Sequence, residues 1–287
     1  MNKYIAIFLL LFCFYSIRAQ INIRVVNENS KYLPYAHISS LDNSKFFIAN
    51  ENGEFYIKDD ILKKTFIVTH IGYISDTVSG QDIIQHRQIV LKEAFVEIPS
   101  VEVVASKKKK ITKTFGNKSV IFNSRFICPN GKEIAVRIPG QTNHSYLRSA
   151  MFFIDKEGIP NSPFGLRVYS VDLKTNKPGN LLINKDVILA AKQGNEWVKY
   201  EFKKPLEIPK SGLFITMEWL PNSERYLEEK TGRGDVTIVA NGQVLKATIS
   251  IKNKWKNKVY TRWFPTKEWT KVYKTIPAIK CEVIQYK

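Results

Sequence analysis

The densest concentration of side chains able to do chemistry lies between Lys252 and Lys274. Lys252, Lys254, Lys256, Lys258, Arg262, Lys267, Lys271 and Lys274 stand there against one acid, Glu268. Trp255, Tyr260, Trp263, Phe264, Trp269 and Tyr273 are set among them. Aromatic faces stack on sugar rings or bases, and ammonium and guanidinium groups pair with carboxylate, sulfate or phosphate. Lys254, Trp255, Lys256, Lys258, Tyr260, Arg262, Trp263 and Trp269 are therefore candidate ligand-binding residues. The competing reading is an ordinary pair of strands. Period-two alternation turns Trp255 away from Lys254 and Lys256, apolar side in and basic side out.

The remaining chemistry is sparse. His37, His70, His86 and His144 form no H-E-x-x-H pattern, and none has a Glu three residues downstream. The sequence holds no C-x-x-C, no G-x-S-x-G elbow and no phosphate-cradling G-x-x-x-x-G-K-[ST]. No catalytic residue, metal or cofactor is therefore expected, although Ser, His and Asp residues far apart in sequence can meet in a fold. Beyond residue 19 two cysteines remain, Cys128 and Cys281. An even count in an oxidising compartment permits a disulfide, worth about 3–5 kcal/mol across so long a loop. The alternative is two buried thiols acting as small apolar residues. Short motifs add little. Gly232-Arg233-Gly234-Asp235 reads as a Gly-flanked hairpin turn before it reads as an adhesion tripeptide. Asp76-Thr77-Val78, Asn117-Lys118-Ser119 and Asn143-His144-Ser145 fit short glycosylation patterns that recur by chance.

The elements that must position these residues are strands. Over residues 20–105, apolar alternation recurs in Ile21 to Val26, Leu33 to Ile38, Phe46 to Ala49, Phe55 to Ile57, Thr65 to His70, Tyr73 to Val78 and Gln88 to Leu91. Asn50-Glu51-Asn52-Gly53 between two of these is a hairpin signal, because Asn and Gly tolerate positive φ. Over residues 117–287 the runs continue through Glu133 to Ile138, Tyr146 to Phe153 and Phe164 to Val171. Val198, Tyr200 and Phe202 share one face, as do Leu213, Ile215, Met217 and Trp219. The expected fold is all-β: a small N-terminal β-sandwich, then a second, jelly-roll-type β-sandwich.

Five segments of the first module also carry a family resemblance. Ile23 to Val26, Leu33 to Ala36, Asn50 to Phe55, His70-Ile71-Gly72-Tyr73 and Ile89 to Lys92 resemble, in that order, the carboxypeptidase regulatory-like domain. The resemblance implies a prealbumin-like sandwich of seven or eight strands without catalysis, found beside many unrelated partners. Val101 to Ala105 is similar to the exit from this domain in TonB-dependent outer-membrane receptors, whose plug and barrel need several hundred further residues. Phe164 to Tyr169, Pro178-Gly179 and Gly212 to Trp219 resemble the uncharacterised region that follows this module in small exported bacterial proteins.

The N-terminus indicates a compartment. Met1-Asn2-Lys3, an apolar run from Tyr4 to Tyr15 and a small Ala19 before Gln20 make a secretory signal, with cleavage expected after Ala19. The run is shorter than the roughly 20 apolar residues of a membrane span, and no later segment offers one. The expected organisation is signal 1–19, regulatory-like sandwich 20–105, basic linker 106–116 and basic sandwich 117–287. Charge divides at the run Lys107 to Lys110. Residues 20–105 carry 8 Lys and Arg against 11 Asp and Glu, whereas residues 106–287 carry 34 against 15. Such asymmetry is either a solvated basic surface or attraction to an anionic one. The functional expectation is an exported, non-catalytic envelope module that binds or scaffolds, with an anionic glycan, lipopolysaccharide or another envelope protein as partner. Export makes nucleic acid the poorer match to the same features. The alternative is a glycan- or peptide-processing enzyme whose site is dispersed through the second module.

Overall fold

The computed structural model describes residues 20–57, 61–94, 110–119, 121–141, 144–222, 227–230, 237–240, 242–249, 258–263 and 268–286. The all-β expectation holds: strand makes up about 58% of the described residues and helix about 3%. The signal, the Lys107–Lys109 run, the Arg233-Gly234-Asp235 tripeptide and Asn143 lie outside the described residues.

The first module contains β1 (Ile21–Asn27), β2 (His37–Ser40), β3 (Phe46–Ile48), β4 (Glu54–Ile57), β5 (Thr65–Thr69), β6 (Asp76–Ser79), α1 (Gly80–His86) and β7 (Gln88–Leu91). One sheet runs β4-β1-β7 and the other β3-β2-β5-β6. Alternation puts Ile23, Val25, Phe55, Ile57, Ile89 and Leu91 of the first sheet against Ile38, Phe66 and Val68 of the second, all in one buried cluster. The Asn50 to Gly53 turn joins β3 to β4, with Gly53 at φ 71° and the Asn50 side chain accepting from the amides of Asn52 and Glu54. The helix was not expected. Its signal was present: Ser79 caps the Asp82 amide, three residues on, and Ile83 plugs the core.

The second module contains β8 (Lys110–Gly116), β9 (Ser124–Phe126), β10 (Lys132–Ile138), β11 (Ser145–Gly158), β12 (Phe164–Val171), β13 (Pro178–Leu181), β14 (Val187–Leu189), β15 (Glu196–Glu207) and β16 (Leu213–Trp219). It continues with β17 (Leu227–Lys230), β18 (Thr237–Ala240), β19 (Gln243–Ile249), β20 (Val259–Trp263), β21 (Thr270–Lys271), β22 (Thr275–Pro277) and β23 (Ile279–Tyr286). Strands β13-β12-β16-β10-β20-β21 form one sheet, and β22-β19-β11-β23-β8 the other. Their facing sides share a single core, in which Ile134, Val136, Leu166, Val168, Ile215, Met217 and Trp219 meet Leu147, Phe152, Leu245, Ile279 and Val283.

The β10–β12–β16 sheet is unusual in being largely buried on both faces. Strand β16 is buried at all seven positions. Its outward residues Phe214, Thr216 and Glu218 alternate with the core set and are as inaccessible as it is. Ala135, Tyr169, Val171, Phe214, Tyr260 and Trp269 form a small apolar cluster on that outer face. Beside it, the first module covers the rest. A Cβ placed on Gly131, in the turn before β10, would meet Phe46 Cε1 at 2.9 Å and Ile48 Cδ1 at 3.2 Å. Strand β3 therefore rests on that turn, and only glycine leaves it room.

Candidate functional site

Under the first module, the outer face of the β10–β12–β16–β20 sheet turns from aromatic to charged. Cross-strand register sets this up. Glu133 on β10 stands directly opposite Glu218 on β16 and opposite Arg262 on β20, while Arg167 on β12 is opposite Thr216. Like charges directly opposite one another destabilise a sheet. Glu133 and Glu218 are each 1% exposed, so water does not relieve them. Opposite charges do.

Arg262 donates to Glu133 Oε1 through Nε at 3.0 Å and Nη2 at 2.6 Å, and through Nη2 to the Tyr169 hydroxyl at 2.8 Å. Tyr169 in turn donates to Glu133 Oε2 at 3.1 Å. The Arg262 guanidinium lies 4.6 Å from the Trp269 ring centre and 5.3 Å from that of Tyr169, within cation–π range. Burial and the neighbouring Glu133 push the Tyr169 phenol far up, so it stays a donor. Burial would lower Arg262, but Glu133 and Tyr169 more than reverse this.

Arg167 makes the second half of the cluster. Its Nη2 is 2.9 Å from Glu218 Oε2 and its Nη1 is 3.3 Å from Asp186 Oδ1. Gly165, two residues earlier on the same face, leaves the guanidinium its space: a Cβ there would sit 3.1–3.2 Å from Cζ and both terminal nitrogens. Burial tends to lower Arg167, and Glu218 and Asp186 outweigh it to leave the net shift upward.

Two histidines of the first module complete the set. On β2, Ile38 points into its own core, so His37 points out of it, and Nε2 reaches Glu218 Oε1 at 2.6 Å. His70, just past β5, places Nε2 2.9 Å from Asp186 Oδ2 and 3.0 Å from the Pro34 carbonyl, with Nδ1 2.9 Å from the Ile71 carbonyl. All three partners are acceptors. The Glu218 contacts are close ion pairs that lie off hydrogen-bond alignment. Burial alone would raise the Glu218 carboxyl, but His37 and Arg167 hold it down at about 2. These groups border a cleft of about 420 Å³ between the modules, with Tyr35, Tyr73 and Asn184 at its margins.

The sequence-derived ligand candidates are dispersed. Lys254, Trp255 and Lys256 lie outside the described residues. Lys258 is exposed, and so is Trp263, at 53%. Tyr260 and Trp269 are corrected: at 1% and 5% exposure they are core residues, and neither offers a ring face to a sugar. Arg262 is engaged by Glu133 and Tyr169. The disulfide is also corrected. Cys128 and Cys281 are free thiols, both buried, their pKa values pushed up to about 12 by burial. Cys281 lies in β23, and Cys128 precedes β10 in the facing sheet. Of the short motifs, Asn117 is 5% exposed and donates to the Ile276 carbonyl, which leaves no amide for a glycan. Asp76 and Thr77 are exposed on β6.

Glu133, Arg167, Asp186 and Glu218 were not anticipated as a site. The available signal was slight: Arg167 on β12 has an aromatic, Tyr169, at the next outward position, and Glu218 shares its outward face with Phe214 and Thr216. Among the described residues no group of three or more His, Cys, Asp or Glu is placed to hold a metal ion, and no helix is long and apolar enough to cross a membrane.

No known family profile matches the sequence, and no curated protein matches it. Two solved structures show a distant likeness. A clostridial cysteine protease, Cwp84, after propeptide cleavage is 14% identical with a TM-score of 0.38, covering 61% of this chain and 40% of that one. The cysteine protease and lectin-like domains of Cwp84, a surface layer associated protein of Clostridium difficile, are 13% identical with a TM-score of 0.38, covering 87% and 49%. This chain thus spans less than half the length of either, and likeness at that level carries no argument about activity.

Proposed function

We propose that this chain is an exported, non-catalytic envelope protein that binds or scaffolds, built from a carboxypeptidase regulatory-like sandwich docked on a basic sandwich. The observation that supports it best is how the ionisable groups of the inter-module cleft are used. Glu133, Glu218 and Asp186 are each held by a guanidinium, and His37 and His70 each reach across from the other module to a carboxylate. A general base needs an open lone pair beside a substrate, and a nucleophile needs an activating neighbour. Here the same groups face one another, which makes a clasp between the two modules. The seven strands of the first module suit the resemblance, and the basic surplus of the second suits an anionic glycan, lipopolysaccharide or an acidic envelope protein.

One feature favours the enzymatic alternative, a glycan- or peptide-processing activity. His37–Glu218 and His70–Asp186 are histidine–carboxylate pairs at the edge of a cleft. The two readings separate in one experiment on residues 20–287. Binding to sulfated, uronate-bearing and neutral oligosaccharides and to lipopolysaccharide is measured at rising salt, and each ligand is then analysed for cleavage. Saturable binding to the anionic ligands that weakens with salt and leaves them intact is the expected result. Cleavage of any ligand overturns the non-catalytic reading, and absence of binding to the whole panel removes glycans and lipopolysaccharide as partners.

A further inference from the structure

The basic surplus has a second focus, away from the charge cluster. Lys113, Lys118, Arg137 and Lys258 line a single cleft of about 480 Å³, and no carboxylate is among the residues lining it. That volume falls in the range of small-molecule sites. The setting is the open end of the second sandwich, where the edge strand β8 of one sheet approaches β10 and β20 of the other.

Local structure explains why four cations gather there. On β8, Phe115 packs against the core, so Lys113, two residues away, points to the same inward side. The chain then turns sharply at Gly116, whose φ of 100° and close approach to the β23 backbone leave no space for a side chain. Lys118 is thereby brought back to the cleft. On β10, the outward Arg137 donates through Nη2 to the Ser211 carbonyl at 3.1 Å, and its amide donates to the Lys258 carbonyl at 2.8 Å. The guanidinium is therefore oriented by one backbone oxygen, while Nε and Nη1 meet no acceptor among the described residues.

Elsewhere in the module Arg125, Arg148, Lys199 and Lys246 each pair with a carboxylate, whereas scattered surface lysines such as Lys203 and Lys204 have none among the described residues; what sets the cleft apart is that its cations line one concavity. Lys113, Lys118 and Arg137 have no carboxylate within ion-pair distance among the described residues. An inward-pointing lysine on an edge strand also protects a sheet from pairing with another chain. That explains Lys113 alone, and neither the oriented Arg137 nor Lys118.

We propose that this cleft is an oxyanion site that takes one acidic group of a polyanionic saccharide. Arg137 supplies an oriented fork of donors, and Lys113 and Lys118 supply exposed cations beside it. The inference rests on the binding reading above and gives it a location. Carboxylate, sulfate and phosphate share the required chemistry, so the source is settled by the choice of probe.

The test is isothermal titration of residues 20–287 with a sulfated hexasaccharide, an oligogalacturonate, inorganic phosphate and a neutral oligosaccharide at low salt. Lys113→Gln combined with Arg137→Gln is expected to weaken the preferred acidic probe about tenfold or more, the loss of one charge-assisted hydrogen bond or two. Lys113→Gln with Lys118→Gln changes only exposed ends, so it keeps the melting temperature and still weakens binding. Lys203→Gln with Lys204→Gln on β15 removes equal charge outside the cleft and is expected to leave affinity within about twofold, as surface charges screened by solvent do. If the β15 pair weakens binding as much as the cleft pairs, the site is overturned while the binding reading stands. If the unsubstituted protein binds no acidic probe, both fall.

Discussion

Removing Arg167 tests the clasp most directly. Its side chain is 6% exposed and is the group shared between Glu218, at 1%, and Asp186, at 23%. Arg167→Met keeps the apolar stem and deletes the charge, leaving Glu218 facing Glu133 across the register with only His37 beside it. Removing one partner of a buried ion pair costs about 3–5 kcal/mol, because the other charge stays buried. With a urea dependence of about 2 kcal/mol per molar, the midpoint should fall by about 1.5–2.5 M. Urea unfolding followed by tryptophan fluorescence reads this, since Trp219 lies in the adjacent core strand. Adding Glu218→Gln to Arg167→Met removes the stranded carboxylate, so the double variant should recover part of the loss, giving a coupling of about 1–3 kcal/mol. A midpoint shift for Arg167→Met below about 0.5 M, or strict additivity of the two changes, would refute the reasoning, because it would mean that Glu218 is hydrated and not held.

Gly165→Ala should destabilise by about 1–2 kcal/mol despite its gain in chain stiffness, because the Arg167 guanidinium beside it is fixed at both ends; thermal melting reads the sign. The Glu218 carboxyl has a folded pKa of about 2 against an ordinary 4.5. Its stabilisation is therefore complete above about pH 5 and disappears as pH falls through 4.5 towards 2. The stability gap between the parent and Glu218→Gln should narrow over that window, and a gap independent of pH would contradict the assignment. His37→Leu should cost about 1–3 kcal/mol and lower the temperature at which the modules separate in calorimetry, since it strips the cross-module partner from Glu218. Both thiols should resist an aromatic disulfide reagent in the native protein and react fully in denaturant, with no mass loss of a disulfide.

Strand content, the Asn50–Gly53 hairpin and the core face of β16 were legible because each depends on local chemistry: alternation of period two, or a residue that accepts positive φ. Strands β10 and β12 were readable for the same reason. The clasp was not, because alternation reports only that one side of a strand differs from the other. A single Arg in Leu166-Arg167-Val168 looks like a solvent-facing charge until another module covers it. Tyr260 and Trp269 misled in the opposite direction. Aromatics at outward positions suggested a sugar-binding face, whereas they mark where this sheet's second side is buried. The helix α1 was missed at seven residues, too short for a helical period, although its Ser79–Asp82 cap was written in the chain.

The placement of Glu133 directly opposite Glu218 bears on how freely the parts of this protein can be exchanged. A small sandwich that met its neighbour through a generic apolar contact could be exchanged freely between partners. Here the neighbour is keyed. Any sandwich grafted onto β10 and β16 must bring hydrogen-bond donors to the positions of His37 and His70, or leave buried carboxylates short of partners. Cut away from the first module, the second would show water a mixed acidic and aromatic strip that the intact protein never displays. Screens for binding partners run on that fragment would then recover ligands of a surface that exists only after cutting. The first sandwich is thus a counter-ion to the second as well as its companion, and recombination that ignores this yields a chain with two good cores and a defective seam.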